Sequence, residues 1–195
     1  MSFSYELLWT LIGLLLTIGG TFVEAFATNP PWQWGDLGLK IQTLGVTFQT
    51  GAVLLTGCVG GKKAGALSQV AYLMLGLAWL PVFSHGGGWS YLQQPTFGYI
   101  LGFVPGAWLC GWLAFRDRPK IEMLVLASAA GLVVIHACGL LYLTGLAFIG
   151  PKFGATGPPL LAALSAYSLK PLPGQLAVLC AAATIAFGLR QVQFN

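Results

Sequence analysis

The sequence predicts an all-α membrane protein, a bundle of six transmembrane helices forming one domain over residues 1–195. Three observations predict it. Hydrophobic residues make up 56% of the chain and charged residues only 7%, where an average soluble domain has about 25% charged. The apolar residues gather into six stretches, most of them close to the roughly 20 residues that a helical span needs. The lysines and arginines fall in the short connections between stretches and not along one face, which is how topology determinants are distributed.

The first stretch covers 5–26 and ends in Gly19-Gly20-Thr21-Phe22-Val23-Glu24. It is longer than a signal-peptide core and lacks a small-residue cleavage site, so a retained helix is expected. Asn29-Pro30-Pro31-Trp32 cannot continue it, because two prolines remove donors and clash with the preceding turn. Residues 43–60 and 64–83 form the second and third stretches, with Gly51 and Gly57 to Gly60-Gly61 leading into a tight bend at Lys62-Lys63. Ser84-His85-Gly86-Gly87-Gly88-Trp89 breaks the third. The fourth runs over 97–115 and is cut by Arg116-Asp117-Arg118-Pro119-Lys120. The fifth, 121–149, exceeds the span length and must tilt or project beyond the lipid. The sixth, 158–188, contains the connection 168–174 that leads into the last helix.

Charge sets the orientation. With both termini in the cytoplasm, Lys62, Lys63, Arg116, Arg118, Lys120 and Arg190 lie inside, and Lys40, Lys152 and Lys170 outside. The excess of basic residues inside favours this arrangement, and an even number of spans agrees with it. The outer connections 27–42, 84–96 and 150–157 are then the longer ones, rich in Pro, Gly and Trp.

Whole classes of function are excluded on these grounds. The net charge of +4 is spread over loops, so it is no nucleic-acid footprint. Cys58, Cys110, Cys138 and Cys180 each sit in an apolar stretch with no CxxC spacing, which reads as small buried hydrophobes without metal or disulfide. No paired acid and base, no nucleophile with its base and no cofactor motif is present, so the chain is not an enzyme and carries no cofactor. Gly86-Gly87-Gly88 lacks the Lys-Ser/Thr and the preceding strand of a phosphate loop.

A few residues keep two readings. His136, alone in the fifth stretch, is either a satisfied structural histidine or a functional intramembrane group. Glu24 is either an interfacial residue in water or a buried ligand. Trp32, Trp34 and Trp89 suit an interfacial belt or the walls of an outward pocket. Gly13, Thr17 and Thr21 recur every fourth position, a small-residue stripe that serves close packing within the bundle or docking onto a separate membrane subunit. The three glycines at 86–88 are a flexible connector, a mobile lid or a place of close backbone approach to a ligand.

The order of several segments carries a resemblance. Ile41-Gln42-Thr43-Leu44-Gly45-Val46 is followed by Gly61-Lys62-Lys63-Ala64-Gly65-Ala66-Leu67, Tyr72-Leu73-Met74-Leu75-Gly76 and Pro81-Val82-Phe83. Then come Gly86-Gly87-Gly88, Pro95-Thr96-Phe97-Gly98-Tyr99-Ile100-Leu101-Gly102-Phe103 and, at the last helix, Pro173-Gly174. This series resembles the BioY family, the biotin-binding S components of energy-coupling factor (ECF) transporters. The resemblance is dense over 41–103 and looser beyond.

It implies a vitamin-capture subunit of six helices in the bacterial cytoplasmic membrane. Its partners would be biotin or a related small vitamin, membrane lipid, a transmembrane coupling subunit and two ATPase subunits. The site would lie near the outer face, under the loops between helices 1–2 and 3–4. Its candidate residues are His85, Gly86, Gly87, Trp89, Tyr91, Gln94, Tyr99, His136, Tyr142 and Gln175. The family's docking motif on the first helix maps to Gly13, Thr17 and Thr21. One departure stands out: where the family usually has an acidic residue and a lysine three positions on, this chain has Gln175 and Val178. An amide still accepts from an N–H and donates to a carbonyl. Lys170 or the glycine-loop N–H groups are the candidates for a carboxylate tail. Besides biotin uptake, two further readings stay open: another small vitamin, or a non-transporting small subunit of a larger membrane complex.

Overall fold

A computed structural model describes residues 3–78, 80–149 and 160–193, so the connection 150–157 with Lys152, and the first residues of the sixth stretch, lie outside the described residues. The elements run α1 (Phe3–Phe22), β1 (Glu24–Thr28), α2 (Trp34–Leu37), β2 (Ile41–Thr47), α3 (Gln49–Ala78), α4 (Phe97–Ala114), α5 (Ile121–Ile149), α6 (Leu160–Leu164) and α7 (Leu172–Gln193). A 3₁₀ turn at Trp89–Gln93 precedes α4, and a π turn at Ser165–Leu169 follows α6.

Among the described residues five helices are long, and the second and third predicted stretches correspond to the two arms of α3, which is broken at Gly61. Inside α3, Gly61 stands at φ 80°, ψ 178°, far from helical values and open only to a residue without Cβ. The chain turns back there. Gln49 Nε2 donates to Tyr72 Oη at 2.8 Å, although 23 residues of straight helix would separate them by about 35 Å. Four segments are long and apolar enough to cross a membrane: Phe3–Phe22, Phe97–Ala114, Ile121–Phe148 and Leu160–Val192. The first arm of α3, residues 49–60, is about 18 Å long and does not reach across a hydrocarbon core of about 30 Å.

The second stretch starts late for a local reason. Residues 41–47 are rich in β-branched side chains, Ile41, Thr43, Val46 and Thr47, and form a strand in which Gly45 takes φ 67°. β2 pairs antiparallel with β1, Phe26 opposite Thr43 and Thr28 opposite Ile41, and the irregular connection predicted over 27–42 becomes the head of a hairpin. The third stretch ends early, at Ala78. The sixth is divided, because Pro171 and Pro173 cannot continue α6 but suit the opening of α7.

The outward faces mark the surroundings. On α5, Leu126, Val133 and Leu141 are 58%, 66% and 72% exposed; a ring of such residues is unsuited to water and suited to lipid. The interior is held by glycine-mediated contact between α3 and α4 and by polar side chains bonded within the bundle. Arg190 is buried near the end of α7, where its Nη1 donates to Ala114 O at 2.6 Å and its guanidinium lies 4.1 Å from the Phe115 ring centroid. Cys58 and Cys110 are buried with their sulfurs 3.4 Å apart. Cys180 departs from the expected burial and is exposed on the outside of α7.

The stripe of Gly13, Thr17 and Thr21 faces inward, and all three residues are buried. A Cβ on Gly13 would lie 3.0 Å from Ser68 Cβ, Gln69 Nε2 donates to Thr17 Oγ1 at 3.0 Å, and Thr21 Oγ1 lies 3.2 Å from Tyr72 Oη. The small residues let α1 approach α3, which is the packing use of such a stripe.

Tyr72 joins these parts. Its side chain is fully buried, and its hydroxyl donates to Val82 O at 2.9 Å while accepting from Gln49. Tyr72→Phe is expected to cost about 1–3 kcal/mol, because Gln49 Nε2 and Val82 O lose their partner together. A lowered Tm in detergent would measure it; an unchanged Tm would show that the hydroxyl carries no net stability.

Candidate functional site

The N-terminal ends of α3, α4 and α7 converge at the end of the bundle that carries the β-hairpin, and a cavity of about 190 Å³ opens there. Val46 and Thr47 of β2 lie over it, with Gln49 and Thr50 of α3 on one side. Tyr99, Ile100 and Phe103 of α4 form a second wall, and Ile135 of α5 with Tyr167, Pro171 and Gln175 form a third. Ser84, Tyr91 and Thr96 come from the segment before α4. The hairpin is seated on α7 by close contact: a Cβ on Gly174 would lie 2.9 Å from Val46 Cγ2.

A line of polar groups backs the cavity. Tyr99 Oη and Ser168 Oγ are 2.7 Å apart, Ser168 Oγ and His136 Nδ1 3.3 Å, and His136 Nε2 and Gln175 Oε1 2.7 Å. Donor and acceptor requirements orient the line. The amide oxygen can only accept, so His136 Nε2 carries the hydrogen; in the neutral ring Nδ1 then accepts from Ser168, which accepts from Tyr99. The Gln175 NH2 is left at the cavity end of the line as a donor. The Tyr99 ring meets the His136 ring edge to face at 84° and 5.6 Å.

An aromatic run fixes the segment before α4. Tyr72, Phe83, Tyr91, Phe97 and Tyr142 follow one another with ring centroids 4.6–6.3 Å apart. Tyr142 Oη donates to Leu92 O and braces the 3₁₀ turn. Burial raises the pKa of the Tyr91 phenol, against a hydrogen bond from Thr96.

Of the residues singled out from the sequence, Tyr91, Tyr99 and Gln175 line the cavity. His136 stands one shell back, 9% exposed and bonded on both ring nitrogens, so its two readings merge: it is a satisfied histidine that orients a cavity residue. Tyr142 acts at a further remove, through Leu92. Trp89 is 73% exposed, and His85 and Gln94 are exposed as well, none of them on the cavity wall. Gly86 pairs with Phe83, and Gly88 N donates to Gly76 O at 2.7 Å, so the close approach of the glycine run is to α3 and not to the cavity. Trp32 and Trp34 are exposed on the hairpin head. Glu24 is exposed, accepts from Thr43 Oγ1 at 3.3 Å and is not on the cavity wall. Lys170 is exposed and off the wall, and Val178 is buried against Gly51, also off the wall.

Thr47, Gln49, Thr50, Ser84 and Tyr167 also line the cavity, and sequence reasoning missed them. Gln49 gives a signal of a kind, a long amide inside an apolar stretch. Thr47, Thr50 and Ser84 give none, because small hydroxyl residues near helix ends are common, and Tyr167 is one aromatic among many in an apolar stretch.

Fold and cavity define a multi-pass helical membrane protein with a small, hairpin-capped chamber at one end. The chain belongs to the BioY family, whose family model matches residues 34–194. A probable biotin transporter BioY of Lysinibacillus sphaericus is 41% identical over 98 residues, 50% of this chain and 50% of that protein. The biotin transporter BioY of Thermotoga maritima is 39% identical over 98 residues, 50% of this chain and 57% of that one. These two matches thus span little more than half of the relatives' own length. An uncharacterized 21.2 kDa protein of the psbX-ycf33 intergenic region of Cyanophora paradoxa is 28% identical over 195 residues, 97% of this chain and 96% of that one. The crystal structure of the S-component for biotin from an ECF-type ABC transporter superposes with a TM-score of 0.71. It covers 98% of this chain and 95% of that one at 20% identity, a likeness of fold.

Proposed function

We propose that this chain is the substrate-binding membrane subunit for biotin uptake, working with an ATP-driven energy-coupling factor module. The observation that carries the reading is the directed line from Tyr99 through Ser168 and His136 to Gln175, ending on the wall of a capped cavity. A ureido ring offers one carbonyl and two N–H groups. The Gln175 NH2 suits the carbonyl, and the hydroxyls of Thr50 and Tyr167 can accept from the N–H groups. Tyr91, Tyr99 and Phe103 give the flat apolar contact that a bicycle needs, with few polar groups fixing its orientation. A carboxylate tail meets the positive ends of three helices, a favourable place for an anion.

A cavity with polar walls supports ligand binding over the reading of a packed accessory subunit. The hairpin and the segment before α4 open to admit the vitamin and close over it; the loaded subunit then releases it inward. ATP is hydrolysed by the partner subunits, since this chain has no Walker A sequence. Lys62, Arg116 and Arg190 gather at the end away from the cavity, which supports a cytoplasmic placement of that end and of both termini in a bacterial cytoplasmic membrane.

Isothermal titration calorimetry of the purified full chain with biotin tests this. One-site saturable binding, absent for a biotin-free buffer and not competed by riboflavin or thiamine, is the expected result. No heat of binding from protein that retains its helical circular dichroism would sink the biotin assignment. Saturable binding of another vitamin in biotin's place would keep the subunit class and change its substrate.

A further inference from the structure

A second cavity, of about 320 Å³, lies at the opposite end of the bundle, and its walls bear a different chemistry. Gly60 and Gly61 at the break in α3 form its floor with Gly111, and Lys62, Lys63, Arg116 and Trp112 line it. Three cations face one carboxylate, Glu6, which pairs with Lys63 at 3.6 Å. Among the described residues, Lys62 and Arg116 have no carboxylate partner. Lys62 Nζ lies 5.9 Å from the Trp108 ring centroid. Trp108 and Trp112, one turn apart on α4, stack with planes 7° apart and are 45% and 43% exposed on the lipid side.

We propose that this cavity seats the phosphate of an anionic phospholipid from the inner leaflet, with Lys62 and Arg116 on the phosphate and the indole pair against the glycerol and upper acyl region. The uncompensated cations call for an anion, and a basic pocket between transmembrane helices on the cytoplasmic side is a recognised way of holding a lipid headgroup. The first turn of the second α3 arm begins at the cavity and adds its positive end. The carbonyl end of α4 would oppose an anion, but Arg190 already donates to Ala114 O there. The exposed indoles choose between sources: a free phosphate has no use for them, whereas a lipid passes from the charged cavity directly onto an interfacial Trp pair. The lining at this end carries the inference whatever the other cavity binds, and the choice of inner leaflet rests on the orientation proposed above.

Native mass spectrometry of the full chain in detergent tests it, with dioleoylphosphatidylglycerol, dioleoylphosphatidylcholine and inorganic phosphate as probes. The wild type is expected to hold one phosphatidylglycerol about thirtyfold more tightly than phosphatidylcholine, with inorganic phosphate unable to displace it. In the Lys62→Gln/Arg116→Gln double variant that preference is expected to vanish. Lys62→Gln alone, at an exposed position, should lose about fivefold and serves should the double variant fold poorly. Equal retention of the two lipids by the wild type, or a preference unchanged in both variants, would overturn the proposal. Displacement by inorganic phosphate would also overturn it, and would make the cavity a site for the free ion. Helical circular dichroism separates loss of the site from loss of the fold.

Discussion

Gln175→Leu is expected to weaken biotin binding about a hundredfold. Two losses coincide in this variant. The cavity loses the amide that can meet a ureido group, and His136 Nε2 loses the acceptor it holds at 2.7 Å in a site only 9% exposed. A buried donor left without a partner costs more than the bond itself contributed, and the tautomer that orients Ser168 and Tyr99 is no longer fixed. Gln175→Glu separates the two effects: a carboxylate still accepts from His136 and, with the ureido ring turned to present an N–H in place of its carbonyl, makes a stronger, charge-assisted bond. Calorimetry should therefore give strong loss for the leucine variant and retained binding for the glutamate. Unchanged affinity in Gln175→Leu would remove Gln175 from the site.

The position three residues on explains why the amide stands alone. Val178 packs against Gly51 of α3, where a Cβ on the glycine would lie 2.5 Å from Val178 Cγ1. The side chain at 178 therefore points to a helix contact and not to the cavity, and a polar ligand group there would have no route to the ligand in this packing.

Composition and the placing of charge make the membrane bundle legible in the amino-acid sequence itself. They rest on the cost of exposing apolar surface to water and of burying charge in lipid, which no local detail can reverse. The path of the chain at the capped end is less legible. Ile41-Gln42-Thr43-Leu44-Gly45-Val46-Thr47 is apolar enough to extend a span, and only the strand pairing with residues 24–28 decides that it is a lid. Pairing is a non-local event that a hydropathy window cannot see. His136 draws notice as a lone polar residue in an apolar stretch, and Gln175 only through the resemblance, at the place where the family usually has an acidic residue. The sequence is misleading where a residue is merely large and near a loop: Trp89 looks like a wall, yet the aromatic run from Tyr72 to Tyr142 passes beneath it and leaves the indole outside. The stripe of Gly13, Thr17 and Thr21 shows the same limit. Spacing reveals that a face is smooth, and only the packed structure reveals which helix uses it.

Gly111→Val is expected to destabilise the fold by about 3 kcal/mol, the largest stability loss predicted for a single substitution in this chain. A Cβ at Gly111 would lie 2.5 Å from Lys62 N, 2.6 Å from Gly61 C and 2.7 Å from Lys62 Cα. All three are backbone atoms, so no side chain can swing away to make room. The same seam is closed by Gly57, whose Cβ would lie 2.8 Å from Ala107 O, and by Gly65, 3.1 Å from Gly57 Cα. The two arms of α3 and the face of α4 thus meet at backbone distance, and in lipid such close approach replaces the hydrophobic drive that holds soluble cores together. Valine at 111 would push α4 off the turn at Gly61 and open the bundle from that end. Gly188→Ala in α7 is the matched control: nothing lies within 4 Å of its Cβ position, and alanine should stabilise the helix by about 0.5–1 kcal/mol. The test is the Tm of both variants in the same detergent. A Gly111→Val protein that melts with the wild type would show that α3 and α4 are free to part without loss, and that the glycine seam does not hold the bundle closed.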